Sequence, residues 1–150
     1  MHGSIRERYP CIQKILRGSI RPYAVSGLRH QHCFQRGLSL QQEFDWLVNL
    51  PKDRILHKPN NMELCFEEEH FDDFLQKLNA YPNIEYLGDV VEHSWGQRVV
   101  RFYDLDGHII EVGESMKMVI RRFLDSGMTM EEVSKKMDAS IEDLEKLLNG

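Results

Sequence analysis

The sequence predicts an α+β fold, in which one complete strand–helix–strand–strand–strand unit with a mixed sheet precedes a three-helix extension. Residues 61–114 show strand and helix periodicities in that order. Residues 116–150 have helical periodicity throughout. A chain of 150 residues, of which 41% are hydrophobic, suits one domain of ordinary size. All-helical and doubly wound parallel folds do not give this order of elements.

The strand–helix–strand–strand–strand unit is defined by its periodicities and turns. Its helix has an apolar face at i, i+3, i+4 and i+7, and Pro82 ends it. The Ser94–Gln97 and Asp104–Gly107 segments are typical of tight turns between strands. The predicted elements are a strand over 61–67, a helix over 70–81, strands over 84–93 and 98–103, and a last strand over 108–113.

The extension is predicted to contain three short helices, over 116–124, 130–137 and 141–148. Ser126 and Gly127 end the first of them. Thr129 with Glu132 forms a capping box before the second helix, and Ser140 with Asp143 repeats that spacing before the third.

Charge and composition restrict the possible partners. Residues 1–37 hold seven basic residues and one acid, a net charge of +6, whereas the rest holds twelve bases and twenty-three acids, a net charge of −11. The overall charge of −5 disfavours a nucleic-acid partner. No apolar run approaches the ~18 residues of a membrane helix, so we expect no membrane partner. The three cysteines lack CxxC spacing, which predicts a reducing, cytoplasmic location without disulfides.

Three stretches of residues 61–114 carry a family resemblance. They are ELCFEEEHFDDFLQKL at 63–78, the WGQR turn at 95–98, and RFYDLDGHIIEV at 101–112. Together they resemble the vicinal-oxygen-chelate superfamily, which is also called the glyoxalase/bleomycin-resistance/dioxygenase superfamily. Leu105 stands where that family usually has proline. The resemblance implies a glyoxalase-like α+β fold built from βαβββ modules.

The superfamily builds its site from two modules, so a first module is expected before residue 60. Residues 37–41 (GLSLQ) resemble the last strand of such a module. The resemblance divides the chain into a degenerate segment over 1–37, a glyoxalase-like domain over 38–115 with its second module at 61–114, and a helical extension over 116–150.

The degenerate segment suggests a change of reading frame. When residues 6–36 are back-translated with permitted codons and read one nucleotide further on, a compatible product contains the contiguous string KFYEDLFG, as a first module requires. We therefore expect that residues 1–36 do not form the family's first strand and helix. The Arg-rich, acid-poor composition also fits a transit peptide or a basic binding arm.

The resemblance implies a divalent-metal site in the cup between the modules. The matching positions are Gln41, Glu63 and Glu111, with Glu111 also in the catalytic role, and the ion would be Mn, Fe, Ni, Zn or Mg. Strand alternation predicts that Glu63 and Glu111 face one cavity. Because an unpaired carboxylate is costly on a buried strand, the alternative for Glu111 is an ion pair with Arg98 or Arg101.

Four further side chains are candidates for the site. The resemblance places Trp95 and Arg98 at the mouth of the cup, where an aromatic ring and a guanidinium bind a flat or anionic substrate; the alternative is a hairpin anchor. His108 alternates away from Glu111 and is expected to point outward. Cys65 shares a face with Glu63 but has no histidine beside it in sequence, which favours a packing role over a nucleophilic one.

Two functions remain open at this point. One is a metal-dependent enzyme of the glyoxalase type, a lyase, isomerase or dioxygenase acting on a small oxygen-rich substrate. The other is a non-catalytic protein that sequesters a small-molecule ligand, as bleomycin-resistance members do. The superfamily also suggests a homodimer. The last helix, over 140–148, has a net charge of −2, so the helix pair that it completes is expected to pack rather than bind DNA.

Overall fold

A computed structural model describes residues 22–23, 31–34 and 39–41 as backbone strands and residues 44–149 in detail, apart from the side chain at 46. The three N-terminal strands, β1 (Pro22–Tyr23), β2 (Gln31–Phe34) and β3 (Ser39–Gln41), form an antiparallel sheet in the order β1-β2-β3. A strand is therefore present at 39–41, within the expected range of 37–41, whose first two residues lie outside the described residues. The expectation that residues 1–36 lack the family's first strand and helix falls largely outside the described residues.

A linker joins this sheet to the larger one. It contains a short helix, α1 (Phe44–Leu47), and a 3₁₀ turn at Lys52–Arg54. The linker carries several exposed apolar side chains, namely Phe44, Leu47, Val48, Leu50, Ile55, Leu56 and Met62.

The larger sheet contains the predicted module. Its elements are β4 (Glu63–Glu68), α2 (Phe71–Asn79), β5 (Glu85–Tyr86), β6 (Val91–Glu92), β7 (Arg98–Tyr103) and β8 (Ile109–Glu114). The strand order is β4-β8-β7-β5, and β6 also pairs with β7. Only the β4–β8 pair is parallel, so the sheet is mixed and the predicted α+β class is confirmed.

One predicted strand is broken in the structure. The sequence pattern predicted a single strand over 84–93, whereas the structure has the two short strands β5 and β6 there. Gly88 lies between them with a φ of +139°. Such a backbone conformation suits glycine and interrupts the extended pairing.

One face of this sheet packs against α2. Phe71, Phe74 and Leu78 of the helix are at most 4% exposed. They meet the inward side chains of the central strands, Val100, Phe102, Ile110 and Val112. Each such side chain contributes about 1.5–3 kcal/mol on burial, so this face holds the core of the module.

The C-terminal extension forms α3 (Met116–Asp125), α4 (Met130–Met137) and α5 (Ile141–Asn149), as predicted. The Thr129–Glu132 capping box is present at α4, and the Ser140 hydroxyl accepts a hydrogen bond from the Asp143 amide at 3.1 Å. The helices share a second apolar cluster, comprising Val119, Ile120, Phe123, Val133, Met137 and Leu144. Within the described ranges, a bilayer-spanning helix is absent.

Candidate functional site

The face of the sheet opposite α2 carries the candidate site. Because side chains alternate along a strand, the residues between the core positions of β4, β7 and β8 project from this other side. We call it the open face. It comprises Glu63, Cys65 and Glu67 of β4, Val99, Arg101 and Tyr103 of β7, and Ile109, Glu111 and Gly113 of β8.

The structure brings Glu63 and Glu111 together on the open face, as strand alternation predicts. Cys65 lies directly opposite Glu111 in the β4–β8 register. The ligand atoms of Glu63, Cys65 and Glu111 all lie within 4.8 Å of one another. The side chain of Gln41, the third predicted metal ligand, lies outside the described residues.

Arg101 binds both carboxylates of this cluster. Its Nε donates to Glu63 Oε2 at 3.0 Å, and one of its terminal nitrogens pairs with Glu111. The three side chains are 31% (Arg101), 36% (Glu63) and 15% (Glu111) exposed. The cluster therefore has one guanidinium for two carboxylates and remains open to solvent.

The pairing with Arg101 bears on the fit of a divalent metal ion. Two carboxylates and a thiol are chemically able to bind such an ion. Here, however, the guanidinium already supplies the cation for both carboxylates, and an ion among them would lie beside this fixed positive charge. In the described arrangement the cluster does not fit a resident divalent ion.

Cys65 is not prepared for nucleophilic chemistry. Burial raises the pKa of its thiol to about 11, with further increases from the nearby Glu111 and Glu63 carboxylates. A thiolate is the reactive form, and at neutral pH this cysteine is a neutral thiol.

Trp95 and Gln97 border one end of the open face. A Cβ added to Gly113 would lie 2.8 Å from Gln97 Nε2, so the Gln97 amide covers the sheet at this glycine. Trp95 Nε1 donates to Gln97 Oε1 at 3.2 Å, and its ring stacks on His93 at a centroid distance of 4.3 Å. Trp95 therefore lies at this end of the open face beside Gln97, which belongs to the WGQR turn but was not among the predicted site residues.

Arg98 lies on the other side of the sheet. Its guanidinium donates to Glu114 at 3.2 Å and to Asp72 at 2.9 Å, and its Cζ lies 5.1 Å from the centre of the Phe71 ring. The structure does not bring Arg98 to the Glu63–Glu111 cluster.

The opposite end of the open face is bordered by the linker. Tyr103 donates its hydroxyl to Asn60 Oδ1 at 2.7 Å. Lys58 Nζ lies 4.4 Å from the Tyr103 ring centre and 2.5 Å from Glu85. An adjacent cavity of about 300 Å³ is lined in part by His57, Lys58 and Tyr103. Aromatic side chains therefore border the open face at both ends.

His108 takes no part in the cluster. Its Nδ1 lies 2.9 Å from Asp104 Oδ2, and its side chain is 48% exposed. This agrees with the outward orientation expected from strand alternation.

The described elements define a βαβββ module whose sheet has α2 on one face and the Glu63–Arg101–Glu111 cluster on the other. Residues 27–117 match the family described as "Glyoxalase-like domain". That match covers more than half of the chain, and the chain belongs to the glyoxalase-like family of the glyoxalase/bleomycin-resistance/dioxygenase superfamily.

Three solved structures are among those to which this chain is similar. A protein of unknown function from Agrobacterium tumefaciens is 28% identical, with a TM-score of 0.58, over 75% of this chain and 86% of its own. A hypothetical protein from S. aureus is 16% identical, with a TM-score of 0.54, over 72% and 84%. A superfamily member from Sphaerobacter thermophilus is 13% identical, with a TM-score of 0.46, over 76% and 91%. No curated protein matches the chain.

Proposed function

We propose that this protein is a non-catalytic small-molecule-binding member of its superfamily and that its ligand binds to the open face. The observation that carries the proposal is the pairing of Arg101 with both Glu63 and Glu111. It favours sequestration over metal-dependent catalysis because the guanidinium occupies the carboxylates that a catalytic ion would need.

The exposure and chemistry of the open face support a ligand role. The cluster offers guanidinium donors and carboxylate acceptors to a polar ligand. Trp95 and Tyr103 at the two ends of the open face provide aromatic surface beside these polar groups.

An NMR screen tests this proposal. The ¹⁵N-labelled full chain is titrated with a library of small oxygen-rich acids, amides and aromatic amines. Binding fragments are expected to shift the backbone amide resonances of Cys65, Arg101 and Glu111. The Arg101→Ala variant is expected to bind the same fragments more weakly. A screen with no hit on this face, or with hits only elsewhere, contradicts the proposal.

The second candidate is a divalent-metal-dependent enzyme of the lyase or isomerase type, with Glu111 in the catalytic role. It is favoured by the convergence of Glu63, Cys65 and Glu111 within 4.8 Å. For the cluster to bind an ion, Arg101 would have to leave both carboxylates.

Mn²⁺ titration separates the two candidates. Paramagnetic broadening of the Cys65 and Glu111 amides reports binding at the cluster. We expect none in the wild-type chain or in Arg101→Lys, which keeps the positive charge, and we expect broadening in Arg101→Gln, which removes it. Stoichiometric binding to the wild-type chain would instead support the enzyme.

We further propose a cytoplasmic homodimer. The cysteine pattern supports the location, and the exposed apolar side chains of the linker, among them Phe44, Leu47 and Leu56, support self-association. Light scattering on the purified chain tests the assembly, and a monomer at high concentration contradicts it.

A further inference from the structure

Arg122 of α3 makes contacts that reach beyond its own helix. Its Nη2 donates to the Gly96 carbonyl at 2.5 Å, in the turn between β6 and β7. The same guanidinium pairs with Glu114 at 3.1 Å. Arg122 therefore connects the C-terminal extension with the turn that carries Trp95.

Phe123 holds the same turn from an adjacent position. A Cβ added to Gly96 would lie 2.1 Å from Phe123 Cζ, so the ring packs directly on the glycine backbone. Gly96 has a φ of +89°, which places the turn in a conformation that disfavours other residues. The side chains of α3 and the glycine together leave this turn little freedom.

Glu114 completes the connection. It is only 4% exposed, and it accepts hydrogen bonds from both Arg98 and Arg122. Its carbonyl accepts a hydrogen bond from Gln97 Nε2 at 3.0 Å, and Gln97 Oε1 accepts one from Trp95. Contacts thus run without a gap from α3 through Glu114 and Gln97 to the indole at the end of the open face.

We infer that Arg122 is a positioning residue, through which the C-terminal extension fixes Gln97 and Trp95 at the edge of the open face. The inference rests on the proposed function of the open face. Arg122 itself has no direct contact with the Glu63–Arg101–Glu111 cluster among the interactions described, so its influence on a ligand passes through the turn. The extension would then determine which ligands fit at the Trp95 end.

Indole NMR tests this role without any ligand. In the full chain with Trp46→Phe, a single indole N–H signal remains, that of Trp95. Arg122→Met is expected to shift this signal and speed its hydrogen exchange, because the turn loses its hydrogen bond to Arg122. Arg122→Lys keeps a charged donor and is expected to restore much of the wild-type signal. Arg121→Met, one residue earlier on an exposed position, is the matched control and is expected to leave it unchanged.

A fragment that shifts both Trp95 and Arg101 in the screen provides the second measurement. Arg122→Met is expected to lower the affinity for such a fragment by about tenfold, the contribution of one hydrogen bond. The affinity for a fragment that shifts Arg101 alone is expected to stay unchanged. An unchanged indole signal in Arg122→Met overturns the inference while leaving the proposed function standing. Equal weakening of both fragments also overturns it, because that result indicates general destabilisation. Failure of every fragment on the open face would instead remove the proposed function.

Discussion

Glu111 and Glu114 lie three residues apart on β8, but they face opposite sides of the sheet and differ in their partners. Glu114 faces the helices, is 4% exposed and is shared by the guanidiniums of Arg98 and Arg122. Glu111 projects from the open face, and it shares the single guanidinium of Arg101 with Glu63. One buried carboxylate with two partly exposed cationic partners joins two parts of the fold, whereas on the open face two carboxylates share one cation of similar exposure.

The pKa of Glu114 agrees with this distinction. Burial by itself raises the pKa of this carboxyl, but the hydrogen bonds from Arg98 and Arg122 outweigh it and hold the pKa below its ordinary value. The ionised carboxylate is therefore the form that the fold requires.

The largest expected effect comes from Gly96→Ala, which disturbs the turn that Arg122 and Phe123 hold. The left-handed backbone costs a non-glycine residue about 1 kcal/mol, and displacing the Phe123 ring adds about 2 kcal/mol. Gly127→Ala is the matched control, since Gly127 has a similar φ of +95° with no atom within 4 Å of an added Cβ. Urea unfolding should show that the free energy of unfolding falls by about 3 kcal/mol in Gly96→Ala and by about 1 kcal/mol in Gly127→Ala. Equal losses would show that Phe123 does not press on the turn.

Glu114→Gln compared with Glu111→Gln tests the difference between the two carboxylates directly. Removing the Glu114 charge leaves two guanidiniums without their shared partner, and we expect a loss of about 2 kcal/mol. Glu111→Gln should cost less than about 1 kcal/mol, because its ion pair is partly exposed to solvent. Thermal and urea unfolding at neutral pH measure both variants.

A pH series adds a check on Glu114. A carboxyl with a lowered pKa in the fold stabilises the protein above its ordinary pKa of 4.5, and this contribution is lost as the pH falls below that value. The stability difference between the wild-type chain and Glu114→Gln should therefore shrink in acid. A difference that stays constant down to pH 3, or a larger loss in Glu111→Gln at neutral pH, would contradict the assigned roles.

Periodicity predicted the order of elements and part of the cluster, although it merged β5 and β6 into one strand. The order of elements in 61–114 and the three C-terminal helices follow from strand and helix repeats. The common face of Glu63 and Glu111 follows from alternation within β4 and β8. Alternation within β7 would also have separated Arg98 from Arg101, which are three residues apart, although the turn motif suggested Arg98 as a binding residue.

The remaining features depend on contacts that a single strand pattern does not encode. Arg101 meets Glu111 because the register of β7 and β8 places them opposite each other. Gln97 covers Gly113 because the hairpin folds back over β8. Lys58 and Asn60 reach Tyr103 from an aperiodic linker more than forty residues away in sequence. Such placements depend on the tertiary structure, and the residue pattern of a single segment does not predict them.

The smallest expected effect involves a third carboxylate, Asp104. This side chain contacts both a histidine that can carry charge and two backbone amides, so the contribution of the charge can be measured apart from that of the amides. Its Oδ1 accepts hydrogen bonds from the amides of Asp106 and His108, at 2.9 and 2.8 Å, and its Oδ2 meets the His108 ring. The hydrogen bond to Asp104 raises the pKa of His108 above its ordinary 6.5, although partial burial opposes the shift. A raised histidine pKa stabilises the fold below pH 6.5, and this contribution is lost as the pH rises through the folded-state value.

Because the ring is half exposed, His108→Gln should cost about 0.5 kcal/mol at pH 5.5 and almost nothing at pH 9, where the two amides still hold Asp104. Urea unfolding at the two pH values measures the difference, and a loss of equal size at both would mean that the imidazole acts by packing rather than by charge.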